Sequence, residues 1–412
     1  MQYGCIGEHL THSFSKEIHG LLTDYLYELT EIPMGQLDAF MEKRDFKAIN
    51  VTIPYKQAVI PHLKEIDPMA AQIGAVNTIV NRDGQLYGYN TDFGGMADMI
   101  RYAGICLAGK KVLILGTGGT SNTAMAVAKH LGAKEIYKVS RSEKPGALTY
   151  DSVLQVCPDA QILINTTPRG MFSREGGMAL DPADFSQLEG VVDVVYNPLR
   201  TAFVQQGLKL GVPSTGGLYM LVHQAVLASQ IFLGKTYPEG TTEKIYKTIL
   251  SGKENIVLTG MPGSGKSTVG MLLAEKLGRK FIDLDARITE KTGKTPAEII
   301  TQQGEPAFRD MESEVVGEVS LENGCIIATG GGAILRPENI DALKQNGKIF
   351  FLDRPVEQLL PTEDRPLSST KEAILQRYQE RYPIYTKTAD VVIPNDTTAE
   401  SAAQMIERSF FL

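Results

Sequence analysis

The chain has 412 residues, 43% of them hydrophobic and 22% charged, with a formal net charge of -7. That length exceeds one ordinary core and points to about two or three domains, while the mild acidity argues against nucleic acid or an anionic membrane as the main partner. No apolar run approaches the ~20 residues of a membrane helix, the start "MQYGCIGEHLTHSFS" lacks a signal-peptide pattern, and Cys5, Cys106, Cys157 and Cys325 show no metal or redox spacing, so a reduced, soluble, cytoplasmic protein is expected.

In chain order, "HSFS" puts Ser13 and Ser15 ahead of "KEIHGLLTDYLYEL", read as a helix, where they serve as caps or as ligand hydroxyls. "AINVTIPYK" predicts a strand ending in a turn, with Lys56 just beyond it. "GYNTDFGGMADMIRYAGI" predicts a helix with Asp92 as N-cap. A Lys–Asp pair suits proton transfer to a carbonyl oxygen. Each residue also has a plain reading, a solvated lysine and a cap, and their spacing does not show that they meet.

From about residue 110 the pattern becomes regular. "KVLILG", "EIYKVS", "ILINTT" and "VVDVVY" predict buried parallel strands with helices between them, hence a doubly wound α/β sheet over 103–219. "GTGGTS" follows the first strand and opens a helix. Gly116, Gly118 and Gly119 fit a dinucleotide turn, and Ser121 stands at the third glycine. Where an NAD enzyme places an acid, ~20 residues on, the chain has Ser140-Arg141-Ser142. A guanidinium there favours a 2′-phosphate and therefore NADP; the plain reading is a surface arginine.

A polar stretch interrupted by Gly and Pro follows Ile231, and 241–252 is read as a linker. A second parallel α/β unit then begins with "NIVLTG", followed by strands "KFIDLD", "GCIIATG" and "KIFFLD". Gly260-x-x-x-x-Gly265-Lys266-Ser267 sits between strand and helix, the context of a phosphate-binding P-loop: glycine amides face phosphate oxygens, Lys266 reaches the β/γ-phosphates and Ser267 ligates Mg²⁺. Asp283 and Asp285, two apart at a strand end, are expected on one side of it, one organising the metal and one receiving a hydroxyl, unless Asp285 only caps the next helix. Arg309 and the triple glycine Gly330–Gly332 are further candidates for the acceptor site.

"HSFS", "NVTIPYK", "GAVNTI", "GYNTDFGG", "GTGGT", "VYNP" and "GGLYMLVHQA" stand in the order found in shikimate dehydrogenases, so about 1–235 resembles that family. The resemblance implies that Ser13, Ser15, Thr52, Asn77 and Gln224 bind substrate and that Lys56 and Asp92 form the catalytic pair. It further implies that Gly116, Gly118, Gly119, Thr120, Ser140 and Arg141 hold NADP, with Tyr196 and Gly217 near the nicotinamide. The second arginine often seen after Arg141 is missing, and Lys144 stands in its place. About 253–412 resembles shikimate kinase. There Gly263, Ser264, Gly265, Lys266, Ser267 and Thr268 would bind ATP, Ser267 and Asp283 would serve Mg²⁺, and Asp285, Arg309, Gly331 and Arg381 would bind the acceptor. Arg365 of a short lid would cover the transferring phosphoryl.

The implied organisation is a dehydrogenase substrate domain at 1–102 plus 220–240, an NADP-binding Rossmann domain at 103–219, the linker, and a P-loop NMP-kinase-like domain at 253–412. The implied activities are NADPH-dependent reduction of 3-dehydroshikimate and ATP-dependent phosphorylation of shikimate. The rivals are a quinate/shikimate dehydrogenase fused to another polyol kinase, and a non-catalytic metabolite sensor.

Overall fold

The computed structural model describes residues 1–10, 14–172, 177–359 and 370–411. These form two compact units, Met1–Ile249 and Leu250–Leu412. Among the described residues no helix is long and apolar enough to cross a membrane. All four cysteines are free; Cys106 is exposed and the other three are buried.

The first unit holds two six-stranded sheets. One consists of β1 (Tyr3–Gly7), β2 (Tyr27–Glu31), β3 (Ala48–Val51), β4 (Glu65–Ile66), β5 (Thr78–Arg82) and β6 (Gln85–Tyr89), in the order β2-β1-β3-β5-β6-β4. It is mixed: β1 pairs parallel with β2 and β3, whereas β5 runs antiparallel to β3 and β6. The helix expected over "KEIHGLLTDYLYEL" is only Ser15–Leu22, because Thr23 turns extended and the aromatic-rich remainder becomes β2. There β-propensity and burial of Tyr27 override a helical period.

The other sheet contains β7 (Lys111–Leu115), β8 (Glu135–Ser140), β9 (Ala147–Thr149), β10 (Ile162–Asn165), β11 (Gly190–Asp193) and β12 (Ser214–Thr215). Its order is β12-β11-β10-β7-β8-β9 and every pairing is parallel. Counted within the sheet this is the doubly wound 3-2-1-4-5-6 order, whose switch point lies between the first and fourth strands, here β7 and β10. Ligands bind outside the carboxyl ends of strands at such a point. Behind it, Asp193 at the end of β11 is fully buried and accepts from Thr201 Oγ1 (2.6 Å), Asn165 Nδ2 (2.9 Å) and the Val195 amide (3.0 Å). Burial pushes its carboxyl up to about 7 against the pull of those donors.

Helix Leu218–Leu233 packs against helix Thr91–Tyr102, where Gly95 leaves room: a Cβ there would lie 2.9 Å from the Met220 carbonyl and 3.0 Å from Gln224 Cβ. The segment expected as a linker, 241–252, is helical, Thr241–Lys253, and the division between the two units falls within it. Its composition is polar, but Thr242, Ile245 and Ile249 recur at helical spacing and are buried. The Tyr219 hydroxyl lies 2.9 Å from Glu243 Oε1 and 3.2 Å from Asp98 Oδ2, and the Tyr246 ring packs edge-on against Tyr102.

The second unit has one parallel sheet of β13 (Asn255–Thr259), β14 (Phe281–Asp283), β15 (Ile326–Ala328), β16 (Gly347–Asp353) and β17 (Val391–Pro394), in the order β14-β15-β13-β16-β17. The strand that feeds the P-loop is therefore central. Apolar cores cover both faces, one around Val257, Ile327 and Phe351, the other around Ile256, Leu258 and Phe350. Alternate residues of β13 thus point to opposite faces, as a pleated strand requires.

Candidate active sites

In the first unit, Lys56 Nζ donates to Asp92 Oδ2 at 2.6 Å, and the two side chains are only 16% and 10% exposed. Asp92 is not the N-cap expected of it. Asn90 caps the helix through its side chain, which accepts from the Phe93 amide, and Asp92 is the helix's second residue. The cap is satisfied elsewhere, so the carboxylate is available to Lys56. Thr91 is tied to Asn77, whose Oδ1 accepts from the Thr91 amide (2.8 Å) and whose Nδ2 donates to Thr91 Oγ1 (3.0 Å). Asn77 thereby fixes the turn that carries Asp92.

Thr52 lies at the end of β3, its amide donating to the Ile6 carbonyl. Gln224 is buried on helix Leu218–Leu233, facing the Asp92 helix at Gly95. Ser15 is buried as the first residue of its helix, with Phe14 at the N-cap position. The Phe14 ring meets that of Tyr196 at 5.4 Å. Gly217 precedes helix Leu218–Leu233, and a Cβ on it would meet the Val194 carbonyl at 2.1 Å, so only glycine fits. Ser13 lies outside the described residues.

A cavity of about 860 Å³ opens beside the switch point, lined by Lys56 and by Gly116, Gly118, Gly119 and Thr120. Gly116 has φ 111°, where a Cβ would also strike Thr166 Oγ1 at 2.8 Å. Gly118 and Gly119 have open space where a Cβ would be, at the N-terminus of helix Gly119–His130. That is room for a diphosphate against backbone amides. Ser121, at the third glycine, is buried and donates to the Gly116 carbonyl at 2.8 Å, closing the turn by a side-chain bond. Ser140, Arg141 and Lys144 line the same cavity, Lys144 reaching Thr117 Oγ1 at 2.9 Å. Tyr150 and Arg169 also line it; neither stands out in the sequence, because nothing in "TTPRGM" or "ALTYD" shows which way a loop faces.

In the second unit, Gly260, Gly263 and Gly265 take φ of 149°, 81° and 90°, the conformations that wrap a P-loop and that L side chains resist. Lys266 Nζ is held by the carbonyls of Gly260 (2.9 Å) and Met261 (3.0 Å). Ser267 and Thr268 open the helix Lys266–Leu277, and Ser267 Oγ donates to Asp283 Oδ2 at 2.7 Å. Ser264 Oγ is buried without a partner, and the Ser264 carbonyl accepts from Asn395 Nδ2. This loop geometry, with a hydroxyl and a carboxylate already in contact, fits a nucleotide phosphate and a divalent cation.

The expectation that Asp283 and Asp285 share one side of a strand is corrected. The strand ends at Asp283, which caps the helix Leu284–Thr292 by accepting from the amides of Asp285 and Ala286. Asp285 therefore lies in the first helical turn, directed toward the triple glycine: a Cβ on Gly330 would lie 3.1 Å from Asp285 Oδ1 and 2.5 Å from Glu312 Oε1. Arg309, on helix Glu305–Val319, donates to Glu312 Oε2 (2.7 Å) and Glu305 Oε1 (2.9 Å). A Cβ on Gly332 would fall 2.2 Å from its Nη2. Glu312 is fully buried, and burial raises its carboxyl above the ordinary range while Arg309 opposes the rise. Glu305 and Glu312 escape the reading of the sequence, although their spacing from Arg309 places all three on one helical face. Arg381 Nη1 and Tyr385 both donate to the Gly331 carbonyl. Arg365 lies outside the described residues. Among the described residues no cluster of three or more His, Cys, Asp or Glu forms a metal-holding group.

Comparison with known proteins finds two families in the chain. Residues 5–79 match the model of the shikimate dehydrogenase substrate-binding domain, and residues 262–409 match that of shikimate kinase. The NADP(+)-dependent shikimate dehydrogenase of Clostridium perfringens (strain 13) is 34% identical over 264 residues, covering 60% of this chain and 97% of that protein. The shikimate kinase of Clostridium botulinum (strain Alaska E43) is 44% identical over 160 residues, covering 38% of this chain and 96% of its own length. Among solved structures, shikimate 5-dehydrogenase from Thermus thermophilus, in complex with NADP(H) and shikimate, aligns with TM-score 0.53 at 26% identity, covering 60% of this chain and 99% of that one.

Proposed function

The chain belongs to the shikimate dehydrogenase family through its first unit and to the shikimate kinase family through its second, and on that premise we propose that it makes shikimate from 3-dehydroshikimate with NADPH and then phosphorylates shikimate with ATP. The observation that carries this reading is that each unit holds its own constellation: Lys56 bonds Asp92 and also lines the dinucleotide cavity, while Asp285, Arg309 and the triple glycine gather beyond the P-loop.

In the first site NADPH, when bound, supplies a hydride to the carbonyl carbon. The amides of Gly118, Gly119 and Thr120 would hold its diphosphate. Lys56 gives a proton to the carbonyl oxygen, and Asp92 orients the ammonium and balances its charge. Ser13, Ser15, Thr52, Asn77 and Gln224 hold the substrate's polar groups, with Tyr196 and Gly217 at the nicotinamide end. Arg141 supplies a cation for a 2′-phosphate, which favours NADP(H) over NAD(H).

In the second site ATP with Mg²⁺ supplies the phosphoryl group. Gly263, Ser264, Gly265 and Thr268 would hold the phosphates, Lys266 would neutralise them, and Ser267 with Asp283 would hold the ion. Asp285 receives the hydroxyl proton of the acceptor. Arg309 and Arg381 take its carboxylate as guanidinium forks, and Gly331 lets the backbone approach it closely. The family resemblance alone assigns Arg365 to the transferring phosphoryl group.

The test is one vessel containing purified chain, 3-dehydroshikimate, NADPH, ATP and Mg²⁺, followed by separation of products. Shikimate 3-phosphate is expected. Accumulated shikimate would refute the kinase assignment, no NADPH consumption would refute the dehydrogenase assignment, and faster turnover of quinate with NAD would replace the biosynthetic reading by the quinate one.

A further inference from the structure

If unit 1 binds a nicotinamide dinucleotide, as proposed above, the order of its strands says where each half lies. The diphosphate belongs at the glycine turn after β7, and the residue that ends the second strand meets the ribose of the adenosine half. Here the second strand is β8, so the adenosine runs outward from β7, across the carboxyl ends of β8 and of the edge strand β9. The parallel register pairs Ser140 of β8 with Thr149 of β9, which brings the next residues, Arg141 and Tyr150, side by side beyond the sheet. Both line the cavity, and Tyr150 is the one aromatic among its described lining residues.

The turn that carries the ring is clasped at both ends. Ser152 Oγ accepts from the Thr149 amide (3.0 Å) and donates to the Thr149 carbonyl (3.1 Å), and the Ser152 amide donates to the same carbonyl (3.2 Å). Beneath the turn, the ring packs against the apolar cluster that includes Val139 and Val153. Burial pushes the Tyr150 phenol up while the Arg141 charge opposes the rise, so ring and guanidinium lie within electrostatic reach. Tyr150 thus rests on the core at one flank and borders the cavity at another, beside the cation expected at the 2′-phosphate. A fixed aromatic in that position offers a platform to a flat base.

We propose that Tyr150 binds the adenine base of the dinucleotide, its ring stacking on the purine while Arg141 takes the 2′-phosphate. The two neighbours divide the recognition. The base is common to NADP(H) and NAD(H), so Tyr150 contributes equally to both, and the phosphate alone tells them apart. Stacking uses the π-face of the base and asks for no hydrogen bond to its edge. The ring is therefore the group that matters, and the phenol oxygen is dispensable.

The test is steady-state oxidation of shikimate by the full chain and its Tyr150 variants, with NADP⁺ and with NAD⁺. Tyr150→Ala is expected to raise KM for both cofactors by the same factor, about 5- to 100-fold, and to leave KM for shikimate unmoved. Tyr150→Phe, which keeps the ring, should restore the wild-type KM. The chain contains no tryptophan, so Tyr150→Trp places a single fluorescent reporter at the site. Its emission should be quenched saturably by 2′,5′-ADP and by 5′-AMP, and not by inorganic pyrophosphate, which carries no base. An unmoved KM in Tyr150→Ala, a rise for NADP⁺ alone, or an equal loss in Tyr150→Phe would overturn the assignment. So would a matching rise in KM for shikimate, which marks a residue that only holds the fold, or the absence of quenching. Quenching by both nucleotides in a chain whose wild type oxidises shikimate with neither cofactor would refute the dehydrogenase reading and uphold the base site.

Discussion

Lys56 Nζ and Asp92 Oδ2 meet at 2.6 Å across 36 residues of sequence, one arriving from the turn after β3 and the other from the first turn of helix Thr91–Tyr102. Neither reaches the other without the sheet pairing between β3 and β5 and the Asn77–Thr91 bonds that fix the helix start. Lys56→Ala should lower the dehydrogenase kcat by about 10²–10⁴-fold, the span of general acid–base catalysis. Shikimate phosphorylation by the same preparation should be unchanged. Parallel loss of both activities would contradict two independent sites.

Gly332 faces the Arg309 guanidinium so closely that an added Cβ would lie 2.2 Å from Nη2. Gly332→Ala should displace that side chain, which is held on its other edges by Glu305 and Glu312. Kinase KM for shikimate should rise at least about tenfold, while KM for ATP moves little, because the loss of one charged hydrogen bond is worth about 1.5–3 kcal/mol. An unchanged KM for shikimate would dissociate Arg309 from acceptor binding.

Ser267 and Asp283 are already in contact at 2.7 Å, and Asp283 also caps the next helix. Chelation by EDTA should abolish phosphorylation and leave dehydrogenation intact. Asp283→Asn keeps an acceptor for the cap but removes the charge. It should raise the Mg²⁺ concentration giving half-maximal kinase activity, with a thermal midpoint close to wild type. A large drop in the midpoint with no shift in Mg²⁺ dependence would make Asp283 a cap alone.

Asp193 gives the pH dependence. Its carboxyl titrates near 7 when folded, well above its ordinary range, because burial disfavours the charge. The folded chain therefore holds this proton more tightly than the unfolded chain. The stability it contributes is complete below the ordinary carboxylate pKa and is lost as pH rises through about 7. Asp193→Asn keeps an oxygen for the Asn165 and Val195 donors, and its new amide can donate to Thr201. Urea midpoints of unit 1 should fall less between pH 5 and pH 8 in the variant than in the wild type. Equal slopes would reject the assignment.

Much of this architecture is legible in the sequence because parallel strands buried on both faces read as apolar runs; β7, β10, β13 and β16 are such segments. The P-loop and the glycine turn are legible because their backbone angles demand glycine. What cannot be read is decided by neighbours distant in the chain. Asn90 rather than Asp92 caps its helix, and Asp283 rather than Asp285 caps the next, since one helical position separates a cap from a side chain free for chemistry. Tyr27 goes to a sheet despite its helical surroundings because β1 pairs with it.

The helix Thr241–Lys253 changes where the chain can be divided. Composition marks that stretch as expendable spacer, yet Thr242, Ile245 and Ile249 are buried, and Glu243 and Tyr246 close over Tyr219 at the start of the helix that carries Gln224. A gene cut just after Pro238 would give a dehydrogenase with a bared aromatic patch and a tyrosine hydroxyl short of one partner. In engineering terms the dehydrogenase does not stop where its family motifs stop. Its last turns are written in residues that resemble no motif at all, and a split-protein design has to leave them attached to it.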